Sequence, residues 1–230
     1  MIVPNLIQVA GVRDQEEAEL LIRCGVRYLG FPLRLEVNEE DLSEEAAAQI
    51  FRTLEPRCHG VLITYLKRSG DILDLADHLG ARMVQIHGDI GQAELKTIKR
   101  TDPEMTIIKS LVVGLHGQAD LERTIEASSA HVDGYITDTY DPATGASGAT
   151  GRTHDWSVSR RLVQVSPHPV ILAGGLNPDN VKRAVAEVRP AGVDVHTGVE
   201  DRQGRKDRRK VEQFVREAEA GFDILARRPG

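Results

Sequence analysis

Several short apolar runs in this chain end in groups that can move a proton or hold an anion. Asp138 follows the run Val132 to Thr137, and a carboxylic acid at a strand end can give or take a proton. His87 follows Met83-Val84-Gln85-Ile86, and His196 follows Gly192-Val193-Asp194-Val195. An imidazole titrates near working pH and serves as acid or base. Gly174-Gly175 and Thr197-Gly198 also follow apolar runs. Glycines let backbone N–H groups approach phosphate oxygens with no Cβ in the way. Each feature has a plainer reading too. Asp138 also suits a turn, His87 a structural role, and His196 a larger side chain beside a phosphate loop. Lys109 reads as inward-pointing, an electrostatic partner more than a base.

These groups need elements to position them, and the chain supplies alternation. Leu6 to Val9, Tyr28 to Phe31, Gly60 to Thr64, Met83 to Ile86, Thr106 to Val112, Val132 to Thr137, Val170 to Ala173 and Gly192 to Val195 read as strands. Helical patterns fall between them. Asp14, Ser43 and Asp155 are N-cap candidates, Gly25 and Gly80 are stops, and Asn177-Pro178 reads as a helix start. Ile72, Leu75, Ala76 and Leu79 recur at helical spacing, so one face is buried. The last helix is expected over roughly Lys206 to Ala220. Parallel neighbours need a crossover, so alternating units imply a parallel sheet. About eight units closing on themselves predict an α/β fold, a parallel (β/α)8 barrel spanning residues 1–230 as one domain. A doubly wound open sheet is the rival, but it uses fewer strands, and no Gly-x-Gly-x-x-Gly follows the first strand here. In a barrel the chemistry belongs at the carboxyl ends of the strands.

Composition narrows the partners. Hydrophobic residues make up 40% and charged residues 28%, as in a globular chain. A net charge of −6 argues against a nucleic-acid partner, and the basic run Arg202 to Lys210 reads as a solvated loop and helix start. Cys24 and Cys58 do not make a disulfide framework. The first residues, Met1-Ile2-Val3-Pro4-Asn5, carry no basic n-region and no long apolar run, so neither a signal peptide nor a membrane span is expected. A reducing cytoplasm fits these features.

Three segments carry a family resemblance. They are Asp138-Thr139-Tyr140-Asp141 with Gly148 to Trp156, Leu172 to Val181, and Gly192 to Glu200 with Gly204, Lys206 and Asp207 behind it. They resemble the last three strand–loop units of phosphoribosylanthranilate isomerases, and Val84-Gln85-Ile86-His87-Gly88 is similar to that family's fourth strand. The resemblance implies an Amadori rearrangement in tryptophan-type biosynthesis. An aldose phosphate joined to anthranilate through nitrogen becomes a 1-amino-1-deoxyketose phosphate. It also implies an acid at Asp138 and a phosphate held by Gly174, Gly175, Thr197 and Gly198. Gly148 and Gly151 would shape a loop over the site, and Arg34 would engage the anthranilate. No cofactor and no metal is implied. The expected partner is a phosphorylated sugar, with no nucleic acid and no membrane, and a homodimer is one arrangement open to it.

The departures matter as much. The family's first strand ends in Lys-x-Cys-Gly, with the cysteine as base, whereas this chain reads Gln8-Val9-Ala10-Gly11. Ala10 cannot take a proton. The loop after the second strand reads Phe31-Pro32-Leu33-Arg34 where the family has Ser-Pro-Arg, and His196 replaces a usual serine. His87, His196, or Asp138 acting twice could replace the base. The alternatives are a barrel acting on a different sugar phosphate and a binding protein that lost the chemistry. Ala10 favours those two, whereas Asp138 and the glycine loops favour an enzyme.

Overall fold

A computed structural model describes residues 2–36, 40–140 and 153–227. Its strands are β1 (Leu6–Ala10), β2 (Tyr28–Pro32), β3 (His59–Thr64), β4 (Met83–Ile86), β5 (Thr106–Val113), β6 (Gly134–Thr139), β7 (Val170–Leu172) and β8 (Gly192–Val195). They pair in parallel and in sequence order, and β8 closes onto β1. Helices α1 (Gln15–Arg23), α2 (Glu44–Thr53), α3 (Ser69–Leu79), α4 (Gln92–Thr101), α5 (Gln118–Ser128), α6 (Trp156–Val165), α7 (Val181–Val188) and α8 (Arg208–Ala226) fill the crossovers. This is the (β/α)8 barrel that the alternation predicts. Among the described residues no helix is long and apolar enough to cross a membrane.

Local chemistry sets the helix ends. The side chains of Asp14, Ser43, Asp155 and Asp207 accept hydrogen bonds from N–H groups of the first turns of α1, α2, α6 and α8. Helix α7 begins at Val181, later than the Asn177-Pro178 start read from the sequence. Asn177 Oδ1 instead accepts from the N–H groups of Asp179 and Asn180, so the segment forms a turn first. Helix α8 outruns its expected end at Ala220, because Gly221 and Phe222 are still buried in the helix layer. A Cβ at Gly221 would lie 2.9 Å from Val185 Cβ, so the glycine lets α8 approach α7 closely.

Strand alternation sorts the side chains into two cores. Ile107, Leu111, Tyr135, Leu172 and Val193 face the helix layer, and Leu6, Val61, Met83, Ile108, Ile136 and Ile171 fill the barrel interior. Lys109 sits between Ile108 and Ser110 on the outward parity of β5, contrary to the inward reading. It is buried there, and its Nζ donates to the Gly88 carbonyl at 3.0 Å. The interior parity carries Ala10, Asp138 and His196 to the barrel mouth.

Phe214 of α8 is fully buried between helices and strands. Phe214→Ala should lower stability by about 3–5 kcal/mol in urea unfolding, since it leaves a cavity that the packed layer cannot fill. Leu115→Ala, at a site 48% exposed, should change it by about 0.5 kcal/mol or less.

Candidate active site

Asp138 is the next-to-last residue of β6, and its carboxyl is turned into the barrel with the residue only 6% exposed. Oδ1 accepts the Thr139 N–H at 2.8 Å, and Oδ2 lies 3.5 Å from Nδ1 of His87. Burial pushes this carboxyl up to about 7, opposed by the Thr139 N–H and assisted by the negative charge of Asp194. A carboxyl group so placed keeps its proton near neutral pH and can donate it.

His87, just beyond β4, forms one wall of the same pocket. Its side chain is buried, and burial followed by repulsion from Lys109 holds its pKa at about 3. It is therefore a neutral imidazole. Nε2 lies 2.7 Å from Gln85 Nε2, whereas Nδ1, although near Asp138, has no hydrogen bond of good geometry. A cleft of about 530 Å³ opens beside it over β3 to β5, with Tyr65, Lys67, Ile90 and His116 in its lining.

His196 does not join this group. Its ring lies against Gly11, where any Cβ would come within 2.0 Å of Nε2. Nε2 is 3.4 Å from Glu200 Oε1 and 3.7 Å from Asp41 Oδ2. Burial, then the charges of Lys206 and Arg13, lowers its pKa to about 3. His196 therefore belongs to an ion network behind the end of β8. Lys206 Nζ there bonds Glu200 Oε1 at 2.6 Å and the His196 carbonyl at 3.3 Å.

The two glycine loops stand side by side. Gly174 and Gly175 have φ of 98° and 62°, a conformation that L side chains rarely adopt. The Gly175 carbonyl accepts from Asn180 Nδ2 at 3.0 Å, which ties the loop to the start of α7. Thr197 and Gly198 lie in a 3₁₀ turn, Thr197–Val199, directly against it, since a Cβ at Gly198 would meet the Leu176 carbonyl at 1.9 Å. His154 braces the pair. It bonds Thr139 Oγ1 at 2.8 Å and Ser159 Oγ at 2.5 Å, and burial lowers its pKa to about 4. Thr139 Oγ1 in turn presses on Gly174.

Arg34 lies at the rim. Its Nε and Nη2 bond the carboxylate of Glu44 at 2.8 and 3.2 Å. Gly148 and Gly151 lie outside the described residues. Among the described residues no three His, Cys, Asp or Glu side chains converge as metal ligands would. The structure thus brings His87 to Asp138 and leaves His196 and Arg34 with other partners. Sequence reasoning passed over Gln8, Gln85, Asp194 and His154. The first three carried a signal, being polar residues on the inward parity of otherwise apolar strands.

Comparison with known proteins points to one family. The family model described as N-(5'-phosphoribosyl)anthranilate (PRA) isomerase matches residues 7–217. N-(5'-phosphoribosyl)anthranilate isomerase 2 of Methanosarcina mazei is 36% identical over 94% of this chain and 95% of its own. The isomerase of Methanothrix thermoacetophila is 37% identical over 91% and 96%. The solved Thermotoga maritima isomerase superposes with a TM-score of 0.79 at 28% identity, covering 94% of this chain and 98% of its own. An isomerase solved with reduced 1-(o-carboxyphenylamino)-1-deoxyribulose 5-phosphate superposes at 0.77, with 26% identity and the same coverage.

Burial of Asp138 has a measurable consequence. Its folded pKa of about 7 exceeds the ordinary 3.8, so the folded state binds more protons between those values. Stability from this group is greatest below 3.8 and is lost as pH rises through 7. Asp138→Asn should therefore gain stability relative to wild type between about pH 4.5 and pH 8.5 in urea unfolding. A difference that is constant across that range would contradict the buried, protonated acid.

Proposed function

The chain belongs to the N-(5'-phosphoribosyl)anthranilate isomerase family, and from that footing we propose that it performs the Amadori isomerisation with Asp138 as both acid and base. The observation that carries this reading is a buried carboxyl group, its pKa raised by burial to about 7, in a mouth where Ala10 offers no base. Asp138 first gives its proton to the ribose ring oxygen as the C1–O bond breaks. The substrate nitrogen supplies the electron pair, forming a C1=N iminium. Asp138, now a carboxylate, then takes the proton from C2. The C–H electrons form the C1=C2 bond, the iminium becomes a neutral amine, and the resulting enol tautomerises to the ketone. The aspartic acid ends as it began, so one group closes the cycle. Its pKa of about 7 suits it to both directions of transfer.

Gly174, Gly175, Thr197 and Gly198 are proposed to hold the phosphate, in the loops where these barrels commonly do so. Arg34 is proposed to meet the aromatic carboxylate by exchanging Glu44 for it. His87, neutral and next to Asp138, supports the acid. His196 faces Glu200 and Asp41 and has no proton transfer in this scheme. The reading includes a cytoplasmic setting, in keeping with Cys24 and Cys58 as free thiols. It also includes pairing with a second copy, as in the T. maritima protein described as dimeric.

Kinetics test the scheme. Asp138→Asn should abolish turnover. Wild-type kcat should lie below that of cysteine-bearing relatives, and Ala10→Cys should raise it, since a positioned base contributes about 10²–10⁴-fold. The kcat/KM profile should be flat at acid pH and fall above about 7, as the free enzyme loses the Asp138 proton. An acidic limb that vanishes in His196→Ala would give the base to His196 and overturn the single-group scheme. Gly175→Val should sharply weaken binding of a reduced product analogue in calorimetry, by forcing a β-branched residue to φ of 62°. Unchanged affinity would place the phosphate elsewhere.

A further inference from the structure

Below the mouth, the barrel interior carries amide side chains that the proton transfers do not use. Gln8 of β1 and Gln85 of β4 are 0% and 2% exposed. Buried amides need partners, and theirs form a line across the barrel. Gln8 lies opposite Asp194 of β8 in the strand register, and its amide favours the ionised form of that carboxyl against the effect of burial. Gln8 Nε2 donates to Gln85 Oε1 at 2.9 Å. Gln85 Nε2 lies 2.7 Å from His87 Nε2. Nδ1 of His87 then lies 3.5 Å from Oδ2 of Asp138. The line runs from β8 through β1 and β4 to the acid on β6.

Donor and acceptor chemistry gives the line a direction. An amide nitrogen only donates and an amide oxygen only accepts. Gln8 directs its NH₂ at Asp194 and at Gln85 Oε1, so Gln85 presents its own NH₂ to His87. Nε2 of His87 must accept, and the single proton of the neutral ring is left on Nδ1. We propose that Asp194, Gln8 and Gln85 are positioning residues, forming an oriented hydrogen-bond chain that holds His87 as the Nδ1–H tautomer facing Oδ2 of Asp138. The proposal rests on the reading of Asp138 as the acid. At the moment Asp138 has released its proton, this tautomer offers the new carboxylate a donor. The other tautomer would offer it a lone pair.

Two orphan atoms support the direction. Gln8 Oε1 and Asp194 Oδ1 have no hydrogen-bond partner, and they belong to residues opposite each other in the strand register. A proton on Asp194 Oδ1 would make that atom a donor, the kind of partner that Gln8 Oε1 needs. Burial favours that neutral form, holding the Asp194 carboxyl at about 7. An ionised Asp194 can face only the NH₂ of Gln8, and with Asp194 protonated the bond from Gln8 Nε2 to Gln85 Oε1 sets the direction of the chain. The lysine that the family resemblance expects at position 8 would donate along the same line. Glutamine retains the donor and removes the cation.

Nitrogen-15 NMR of the His87 ring tests the tautomer directly. Wild type should show Nδ1 protonated and Nε2 bare near neutral pH. Gln85→Met, close in volume, should give a mixed or reversed tautomer. It should also lower kcat about tenfold or more with little change in KM, the worth of one hydrogen bond to a charged group. The basic limb of its pH profile should move upward, since the Asp138 carboxylate has lost a donor. Gln8→Leu should loosen the tautomer, whereas Gln8→Lys should keep it and move the basic limb downward. These two variants give an independent readout if Gln85→Met does not fold. An Nε2–H ring in wild type would overturn the proposal. So would folded Gln85→Met and Gln8→Leu proteins with unchanged tautomer and profile. A failure of the Asp138 reading shows up separately, as turnover retained in Asp138→Asn while the wild-type ring is still Nδ1–H.

Discussion

The desolvation of one carboxyl group governs the organisation of this protein. Asp138 sits where water is largely excluded, and taking a carboxylate out of water costs several kcal/mol or more unless it is paired. Among the described residues no cation forms an ion pair with it, so it keeps its proton instead. The inward parity of β6 is what carries this carboxyl group into the barrel mouth beside Ala10. His87 is neutral for the same reason, since the same low-dielectric wall that protects the acid disfavours an imidazolium. Acid and imidazole thus meet as two uncharged groups, and neither fixes the other in a static ion pair.

The positive charges of the mouth are kept elsewhere. Glu17, itself buried, accepts the backbone N–H groups of Arg13 and Lys206 at 2.9 and 2.8 Å. Arg205 pairs with Asp14, the cap of α1, and Arg13 reaches Asp41 and the Gln203 carbonyl. This network stitches the segment after β8 to the segments after β1 and β2. Ion pairs of this kind add little stability where solvent reaches them. Their value here lies in fixing the backbone beside the glycine loops after β7 and β8. His196 has been drawn into that network, and its ring, pressed on Gly11, helps close the seam between β8 and β1.

Removing charge from the centre and concentrating it at one side gives the barrel a polarity. The interior below Asp138 is a neutral layer of amides and one raised carboxyl, and the rim near β8 and β1 carries paired ions. With a glutamine at position 8, the buried Lys206 is the cation that acts on Asp194, and burial outweighs it.

The sequence by itself determined the barrel. Strand periodicity, caps such as Asp14 and Ser43, and eight crossovers leave a parallel sheet little choice but to close. It also marked Asp138 through a family motif, and both glycine loops because a residue without a Cβ lets backbone N–H groups approach an anion. It marked Ala10 as a missing base on the strength of a motif. The tertiary structure alone decided which marked groups meet. His87 and His196 were both open as replacements for the base, yet one faces Asp138 and the other faces Glu200 and Asp41. Lys109 looked inward until the alternation of β5 was fixed by Ile108 on one side and Leu111 on the other. Gln8, Gln85 and Asp194 drew no attention as single letters. Their significance depends on three strands distant in sequence placing them in one dry layer, and both burial and hydrogen-bond direction exist only once the barrel has closed.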